Sequence, residues 1–542
     1  WVTAFDHDPT EALGYIKYDV LKVTSLDILD LTAQLAVQDR KVFREVWDDG
    51  TEHYLPKELL RDPDNAEVVT EPTIKVVTEA SNGWFNNPDV WERTRQGDSF
   101  GLFQLETDSG QGFAKRMQIK NVRDAAMLSA VNRPGVVRAG LIDTFFKRRD
   151  GFERVTYPHP MLEQIIGDTG GLFVFQESVL QMFQLMCGYS LEQADGVRKI
   201  ITKKKVKEMP RLHDEFVEAC KANPDFVSQV PKRFRSVEDC CEEVWEMMVH
   251  TAEYSFNASH SYAYAYTSGW GAYMKTYFLP EFVAAAMTYK QKDLVKTASY
   301  SKRVGIPVLG PDINLSSWRY TIEDDSIRLP LSQVPNVGGS AMEDILAGQP
   351  YKDFEDYCER TSNSKGRKVN VLKNLVLAGA FDSFNPDRAE MYRDAMAAKG
   401  RKDDEPPIMR TKAQVAKVEE ELLGLPISYD PMNEVEGHFK GYAVKSIDEV
   451  TSTPVGGSFF AYGKVTKISR HKAKSGWMAW VELRLKDFSI LSVTVFPSMF
   501  AEVAHLFSES DVLLVKCRRD KDYNGRLSVI CDQLVNFTDY LE

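Results

Sequence analysis

Three short constellations carry residue types that could do chemistry on phosphates. The first is Lys17 with Asp19, inside the run Ala12 to Leu21. That run reads as a strand, with Tyr15, Lys17 and Asp19 on one face and Ile16, Tyr18 and Val20 on the other. Two residues apart on a strand, Lys17 and Asp19 project to the same side, with Cα atoms ~7 Å apart. A carboxylate so placed can ligate magnesium, and the ammonium beside it can neutralise phosphate. Taken alone, the pair reads better as an exposed Lys and Asp on a half-buried strand. The second constellation runs from Arg198 to Lys207 and packs six cations into ten residues. On a continued helix Lys199, Lys203 and Lys207 form one stripe, with Arg198 and Lys205 on a neighbouring one and Lys204 between. Such like charges repel, and a triphosphate or a nucleic-acid backbone would relieve them; a solvated basic face is the plainer alternative. The third runs from Tyr254 to Tyr266. Asn257 and His260 there offer hydrogen bonds to a base or phosphate, and the tyrosines offer stacking faces.

The elements that position these residues are read from periodicity. The Tyr-Ala alternation of the third segment imitates a strand, whereas its alanines and Gly269-Trp270-Gly271-Ala272 suit close helix packing, so an aromatic core helix competes. Ser25 can cap a helix carrying Ile28, Leu31 and Leu35. Ser190-Leu191-Glu192-Gln193 has the form of a capping box, followed by Leu191, Ala194, Val197 and Ile201 at helical spacing. Helical patterning continues to about Lys290. Pro335 to Ser340 precedes another helical stretch, and residues 384–410 read as a linker or mobile helix. From Gly456 the pattern turns to short alternating strands, from Ser458 to Ile468, Trp477 to Leu485, Leu491 to Phe496 and Val512 to Cys517. These read as a small barrel or sandwich of ~90 residues.

Composition bounds the answer. The chain has 542 residues, 43% hydrophobic and 27% charged, which excludes a disordered or fibrous class. At roughly 150 residues per domain, three or four domains are expected. No run approaches the ~18 apolar residues of a membrane helix. The first residue is Trp1, with neither an initiator Met nor a signal pattern, so the chain reads as soluble and as part of something longer or a processed product. The seven cysteines form no C-x-x-C pair, and reduced thiols in a cytosol are expected. A net charge of −12 argues against a passive nucleic-acid coat but allows a local basic channel.

Many short segments stand in the order of one known family. They include Leu13 to Asp19, Gly101 to Glu106, Asn132 to Gly135, Tyr157 to Pro160, Phe175 to Val179, Gly188 to Leu191, the basic run, and Ser255 to Tyr264. Together they resemble the C-terminal half of the DNA polymerase III alpha subunit, the bacterial-type replicative DNA polymerase family. The resemblance implies an α+β multidomain fold, with only the last strand region of a nucleotidyltransferase-like palm in residues 1–24. Mostly helical fingers would fill 25–325, a helix-hairpin-helix domain with linker 326–432, and an OB-type β-barrel 450–542. It implies that Asp19 is a catalytic carboxylate and metal ligand, with Lys17 beside it. Two magnesium ions would be shared with two carboxylates of an upstream polymerase segment. Arg198 and Lys199 would meet the incoming triphosphate, Lys115 and Arg116 would form a second basic pair, and Asn257 and His260 would lie near the nascent base pair.

The same resemblance extends to the C-terminal third. Gly338 and Gly339, within Val334 to Ser340, would approach a DNA phosphate, and Lys203, Lys204 and Lys205 would also face DNA. In the barrel Lys464, Lys467, Arg470, Lys472 and Lys474 with Trp477 would face single-stranded template, while Trp480 on its apolar strand is expected in the core. Partners would be primer–template DNA and dNTPs, in the cytoplasm of a bacterial cell or a phage-infected host, with no membrane. A sliding clamp is a further family partner, although Ser383 to Glu421 holds no convincing clamp peptide. Departures mark a divergent member, a viral one among the expectations: Lys199 for the usual Arg, Ala258 for Lys, Val136 for Pro, and Lys22-Val23 for Gly-Leu. Ser255 stands at a junction where the family hosts inteins and reads simply as a fingers residue. The alternative functions are a non-catalytic DNA-binding accessory using the helix-hairpin-helix and OB segments, or a scaffold whose basic run packs acidic partners.

Overall fold

The computed structural model describes residues 23–79, 83–202, 207–252, 254–361, 365–401, 404–430, 432, 443–444, 446–486, 489–506, 508, 511–523 and 526–537. Lys17, Asp19, Lys203, Lys204 and Lys205 therefore lie outside the described residues.

The first described helix, α1 (Thr24–Gln38), buries Ile28, Leu29, Leu31 and Leu35. Ser25 does not cap it. The helix begins one residue earlier, at Thr24, and its N-cap Val23 contributes no side-chain bond. A small antiparallel sheet follows, of β1 (Val42–Val46), β2 (Glu52–Pro56) and β3 (Glu67–Val68) in the order β2-β1-β3. Helices then dominate: α2 (Asp108–Met117), α3 (Val122–Val131), α4 (Leu141–Arg149), α5 (Gln176–Cys187), α6 (Leu191–Thr202), α7 (Met209–Ala222) and α8 (Val237–Ala252). The long α9 (Ala258–Tyr277) and then α10 (Leu279–Tyr289) and α11 (Leu294–Arg303) complete this run.

The Tyr-Ala alternation therefore folds as a helix. Its small residues explain why: α9 packs against α1 and α3, and a Cβ on Gly269 would lie 2.8 Å from the Phe85 ring. On Gly271 it would lie 2.9 Å from Leu102. The glycines that follow the alternation thus make a contact face for close neighbours. One core runs from Ile28 through α9 and α10 to Leu425. A second fills a lobe between Met161 and Ala252, around Leu162, Phe183, Phe216 and Val244.

After α11 come β4 (Val308–Leu309), β5 (Thr321–Glu323) and β6 (Ser326–Arg328), ordered β4-β6-β5. Next are α12 (Gly339–Gly348), α13 (Val369–Leu377), α14 (Arg388–Ala397) and α15 (Lys412–Leu423). The stretch expected as a linker or mobile helix thus contains a helix, and a packed one. Met391, Tyr392, Ala395 and Met396 of α14 are buried, and α14 lies against α13.

The C-terminal strands are β7 (Ser458–Ala473), β8 (Gly476–Arg484), β9 (Ile490–Val495), β10 (Val512–Tyr523) and β11 (Arg526–Asn536). They run β10-β11-β9-β8-β7, and β10 also pairs with β7, which closes the sheet. Strands β9 and β11 are parallel and the other barrel pairs antiparallel. A short helix, α16 (Pro497–Val503), lies between β9 and β10. A sixth, two-residue strand, Ala443–Val444, pairs parallel with β7. The closed sheet has its own core of Ala479, Val481, Leu483, Val493 and Val515, and its five long strands follow the order expected of an OB-type barrel.

Two ion pairs tie the barrel to the preceding chain. Lys464 Nζ lies 2.7 and 2.8 Å from the Glu420 carboxylate oxygens, and Arg484 donates to Asp430 at 2.5 and 2.6 Å. Burial alone would raise the Asp430 carboxyl, but the Arg484 hydrogen bonds and charge outweigh it and hold the group at about 2. This depressed group stabilises the fold above pH 3.8, and the contribution is lost as pH falls through about 2. Asp430→Asn should therefore lower stability at pH 7 by roughly 2 kcal/mol. Denaturant melts should also show a flatter pH dependence between pH 4 and 2. A variant with the wild-type pH profile would mean that Arg484 does not depress Asp430.

Candidate functional site

The site is built at the start of α9. Asn257 is its N-cap, and the Asn257 Oδ1 accepts from the His260 backbone N–H at 2.8 Å. The Asn257 amide donors are thus left for another partner, and both residues are exposed. The His260 ring sits edge-on to Phe256, 5.1 Å between centroids, and 4.4 Å from Tyr264, which stacks on Phe103 at 4.5 Å. An aromatic ladder therefore fixes the imidazole.

The segment entering α9 is hydrogen-bonded to the segment entering α5. Phe256 N–H donates to Val174 O, and Gln176 N–H to Phe256 O, each at 2.8 Å. Glu177 Oε2 accepts the Ala258 N–H at 2.8 Å. Below this junction, Arg133 donates to the carbonyls of Tyr254 and Ala130 and lies 4.3 Å over the Phe256 ring.

The basic pair is attached to the same junction. Arg198 Nη1 donates to Gln176 Oε1 at 3.0 Å, and Arg198 Nε to Asp195 Oδ1 at 2.8 Å. Lys199 Nζ lies 2.8 Å from the other Asp195 oxygen. Hydrogen bonds from Lys199 and Arg198 hold the Asp195 carboxyl below the usual carboxylate range. The expected capping box is present: Gln193 N–H donates to Ser190 Oγ, and Ser190 N–H to Gln193 Oε1. It starts α6 so that Arg198 and Lys199 fall in its last two turns, and α6 ends at Thr202.

The structure thus ties Arg198 to the junction through Gln176, with Lys199 one residue on and held by Asp195, while Asn257 and His260 begin α9 on the other side of the same junction. Lys115 and Arg116 sit elsewhere, on the last turn of α2, both exposed. The Arg116 guanidinium lies 4.2 Å over Phe146 and 3.4 Å from Asp150. The positioning roles of Gln176, Glu177, Arg133 and Asp195 were not anticipated. Only Asp195 left a usable signal, its i, i+3 and i, i+4 spacing to Arg198 and Lys199.

Gly338 is the N-cap of α12, and Gly339 has φ +45°. A Cβ on either would meet nothing within 4 Å, so the backbone at this helix start is open to close approach. In the barrel, Lys472 faces Trp477 across the β7–β8 hairpin, with Lys474 beyond it. Trp477 is 52% exposed. Trp480 does not fill the core as expected, since it is 41% exposed and lies 5.8 Å from the His471 ring. Ala479, Val481 and Leu483 occupy the inward positions, so residue 480 must point out. The uninterrupted apolar run Met478 to Val481 hid that alternation. Lys464 is likewise not a surface cation, because it is buried against Glu420. Lys467, Arg470 and Lys472 remain exposed. On the single-strand role that the resemblance implies for this barrel, Trp480→Ala should weaken oligothymidylate binding by about 5- to 100-fold, the worth of one stacked base. It should leave thermal stability unchanged; unchanged affinity in a fluorescence titration would remove Trp480 from the interface.

Among the described residues no three His, Cys, Asp or Glu side chains are grouped to hold a metal ion, and no helix is long and apolar enough to cross a membrane.

Residues 69–224 match the bacterial DNA polymerase III alpha subunit finger domain, and residues 305–391 match a helix-hairpin-helix motif. The DNA polymerase III alpha subunit of Aquifex aeolicus is 32% identical over 81% of this chain and 38% of its own length. That of Thermus aquaticus is 28% identical over 96% of this chain and 42% of its own. For Bacillus subtilis the values are 29%, 96% and 45%. The chain thus spans about two-fifths of the length of these curated relatives.

Proposed function

We propose, because its finger and helix-hairpin-helix segments make this chain a relative of the bacterial DNA polymerase III alpha subunits, that it serves template-directed DNA synthesis. The reaction is nucleotidyl transfer from a dNTP to a primer 3′-OH. The observation that supports it best is the junction at Phe256, to which Arg198 is bonded through Gln176 and from which Asn257 and His260 begin α9. A fork-shaped cation and an ammonium suit a triphosphate. An exposed imidazole and amide on an aromatic ladder suit the edge of a base pair.

In this reading Arg198 and Lys199 stabilise charge on the leaving phosphates. Lys115 and Arg116 add a second basic pair. Lys203, Lys204, Lys205 and the Gly338–Gly339 amides hold DNA backbone. The barrel presents Trp477, Trp480, Lys472 and Lys474 to single-stranded template. Asp19, with Lys17 beside it, supplies one metal-binding carboxylate. Two further carboxylates come from an upstream palm segment, since one carboxylate cannot hold two metals in the needed geometry. Two magnesium ions, when bound, supply charge neutralisation and activation of the 3′-oxygen. The division into palm end (1–24), fingers (25–325), helix-hairpin-helix domain (326–432) and barrel (450–542) belongs to the same proposal, as does a cytoplasmic location.

The test is magnesium-dependent primer extension by this chain alone and mixed with the upstream segment, with Asp19→Asn as control. Activity in the mixture that disappears with Asp19→Asn is the expected result. Activity of the chain alone that survives the substitution would overturn the role of Asp19. No activity in any mixture, with primer–template binding intact and the upstream segment folded and associated, would favour a non-catalytic DNA-binding accessory.

A further inference from the structure

The lobe between Met161 and Ala252 holds four of the seven cysteines, all reduced: Cys187 at the end of α5, Cys220 on α7, and Cys240 and Cys241 on α8. Two of them touch: Cys187 Sγ lies 3.9 Å from Cys220 Sγ. Cys240 stands aside and donates to Pro158 O at 3.6 Å. Buried cysteines usually serve as small apolar side chains, and Cys240 and Cys241 fit that role. The Cys187–Cys220 pair differs in two respects. Cys187 is only partly buried, so a small reagent can reach it. The pair also joins two helices 33 residues apart in sequence.

We propose that Cys187 and Cys220 form an oxidative cross-linking site that takes a low-molecular-weight disulfide, here glutathione disulfide. The Cys187 thiolate attacks one glutathione sulfur; that S–S bond breaks and one glutathione thiolate leaves. The Cys220 thiol then attacks the Cys187 sulfur, and the second glutathione is expelled, taking the Cys220 proton and leaving as a thiol. Two thiol hydrogens are lost from the protein, and the reagent is reduced to two thiols. The order of attack follows from the setting. Contact with Cys187 and burial push the Cys220 thiol up, so the entry nucleophile is Cys187 and Cys220 resolves. The sulfurs need to close by ~2 Å to reach a bonded distance. The loop so closed contains all of α6, with Asp195, Arg198 and Lys199, and the bond restrains that segment whatever its ligand.

The full chain is incubated with glutathione disulfide at pH 8, quenched with N-ethylmaleimide and read by intact mass and peptide mapping. The expected product has lost two hydrogens and yields a cross-linked Cys187–Cys220 peptide. Cys220→Ser should stop at a glutathione adduct on Cys187, and Cys187→Ser should give neither product. Protease cleavage between residues 188 and 219 should slow by about tenfold or more in the cross-linked form. Wild-type protein that stops at the adduct, takes up no glutathione, or links Cys220 to Cys241 instead would overturn the proposal. None of these readouts depends on polymerase activity.

Discussion

Arg198→Ala should lower kcat/KM for single-nucleotide incorporation by about 100- to 1000-fold, the cost typical of removing one preorganised donor from a developing negative charge. Arg198 is only 22% exposed and is held by Asp195 on one side and Gln176 on the other, so its guanidinium is oriented before any ligand arrives. Lys199 is 60% exposed and has one recorded anchor, Asp195. It should act as a screened point charge, and Lys199→Ala should cost nearer tenfold. Arg198→Lys separates charge from geometry. A lysine keeps the charge but cannot hold Gln176 and Asp195 while meeting a phosphate, so most of the loss should persist. The measurement is pre-steady-state incorporation by the chain assembled with its upstream segment. A loss below threefold for Arg198→Ala would remove Arg198 from the triphosphate site.

That prediction rests on a juxtaposition the sequence only half displayed. The capping box at Ser190 and the helical spacing after it were legible, because both are local and set by one turn of backbone. The four-strand pattern of the barrel was legible for the same reason, although β11 and the closure of β10 on β7 were not, since pairing across the barrel leaves no local mark. The outward face of Trp480 was hidden because Met478 and Ala479 are also apolar, so alternation had no polar residue to reveal it. Lys464 looked like a surface cation because its partner, Glu420, is 44 residues away and on a helix. The link from Arg198 through Gln176 to Phe256 spans three elements. Resemblance to a family gave Arg198, Asn257 and His260 roles toward the nucleotide, but only the folded chain shows that Gln176 and Phe256 join them.

The same limit applies to Lys275, on which the largest stability effect is expected. It occurs in α9 as one lysine in an aromatic and alanine-rich stretch, and nothing in its spacing marks it. In the structure it is wholly buried, with Nζ 2.5 Å from Asp98 Oδ1 and 3.0 and 3.1 Å from the carbonyls of Asp98 and Phe100. Tyr300 donates to the other Asp98 oxygen at 2.8 Å. Burial draws the Lys275 ammonium down to about 8, opposed by Asp98. Burial would raise the Asp98 carboxyl, but the Lys275 charge and hydrogen bond leave it lowered. The pair fastens α9 to the loop leading into Gly101–Glu106, whose Phe103 carries Tyr264 and so His260. Asp98→Ala leaves an ammonium with two carbonyls and no counter-charge, and should cost about 3–5 kcal/mol. Lys275→Met should cost less, because Asp98 keeps the Tyr300 hydroxyl and lies 3.7 Å from Arg93. The double variant Asp98→Ala with Lys275→Met should cost less than the sum of its parts, since it strands no charge. Denaturant midpoints for the three proteins test this. Additive losses would mean that the two groups are not coupled.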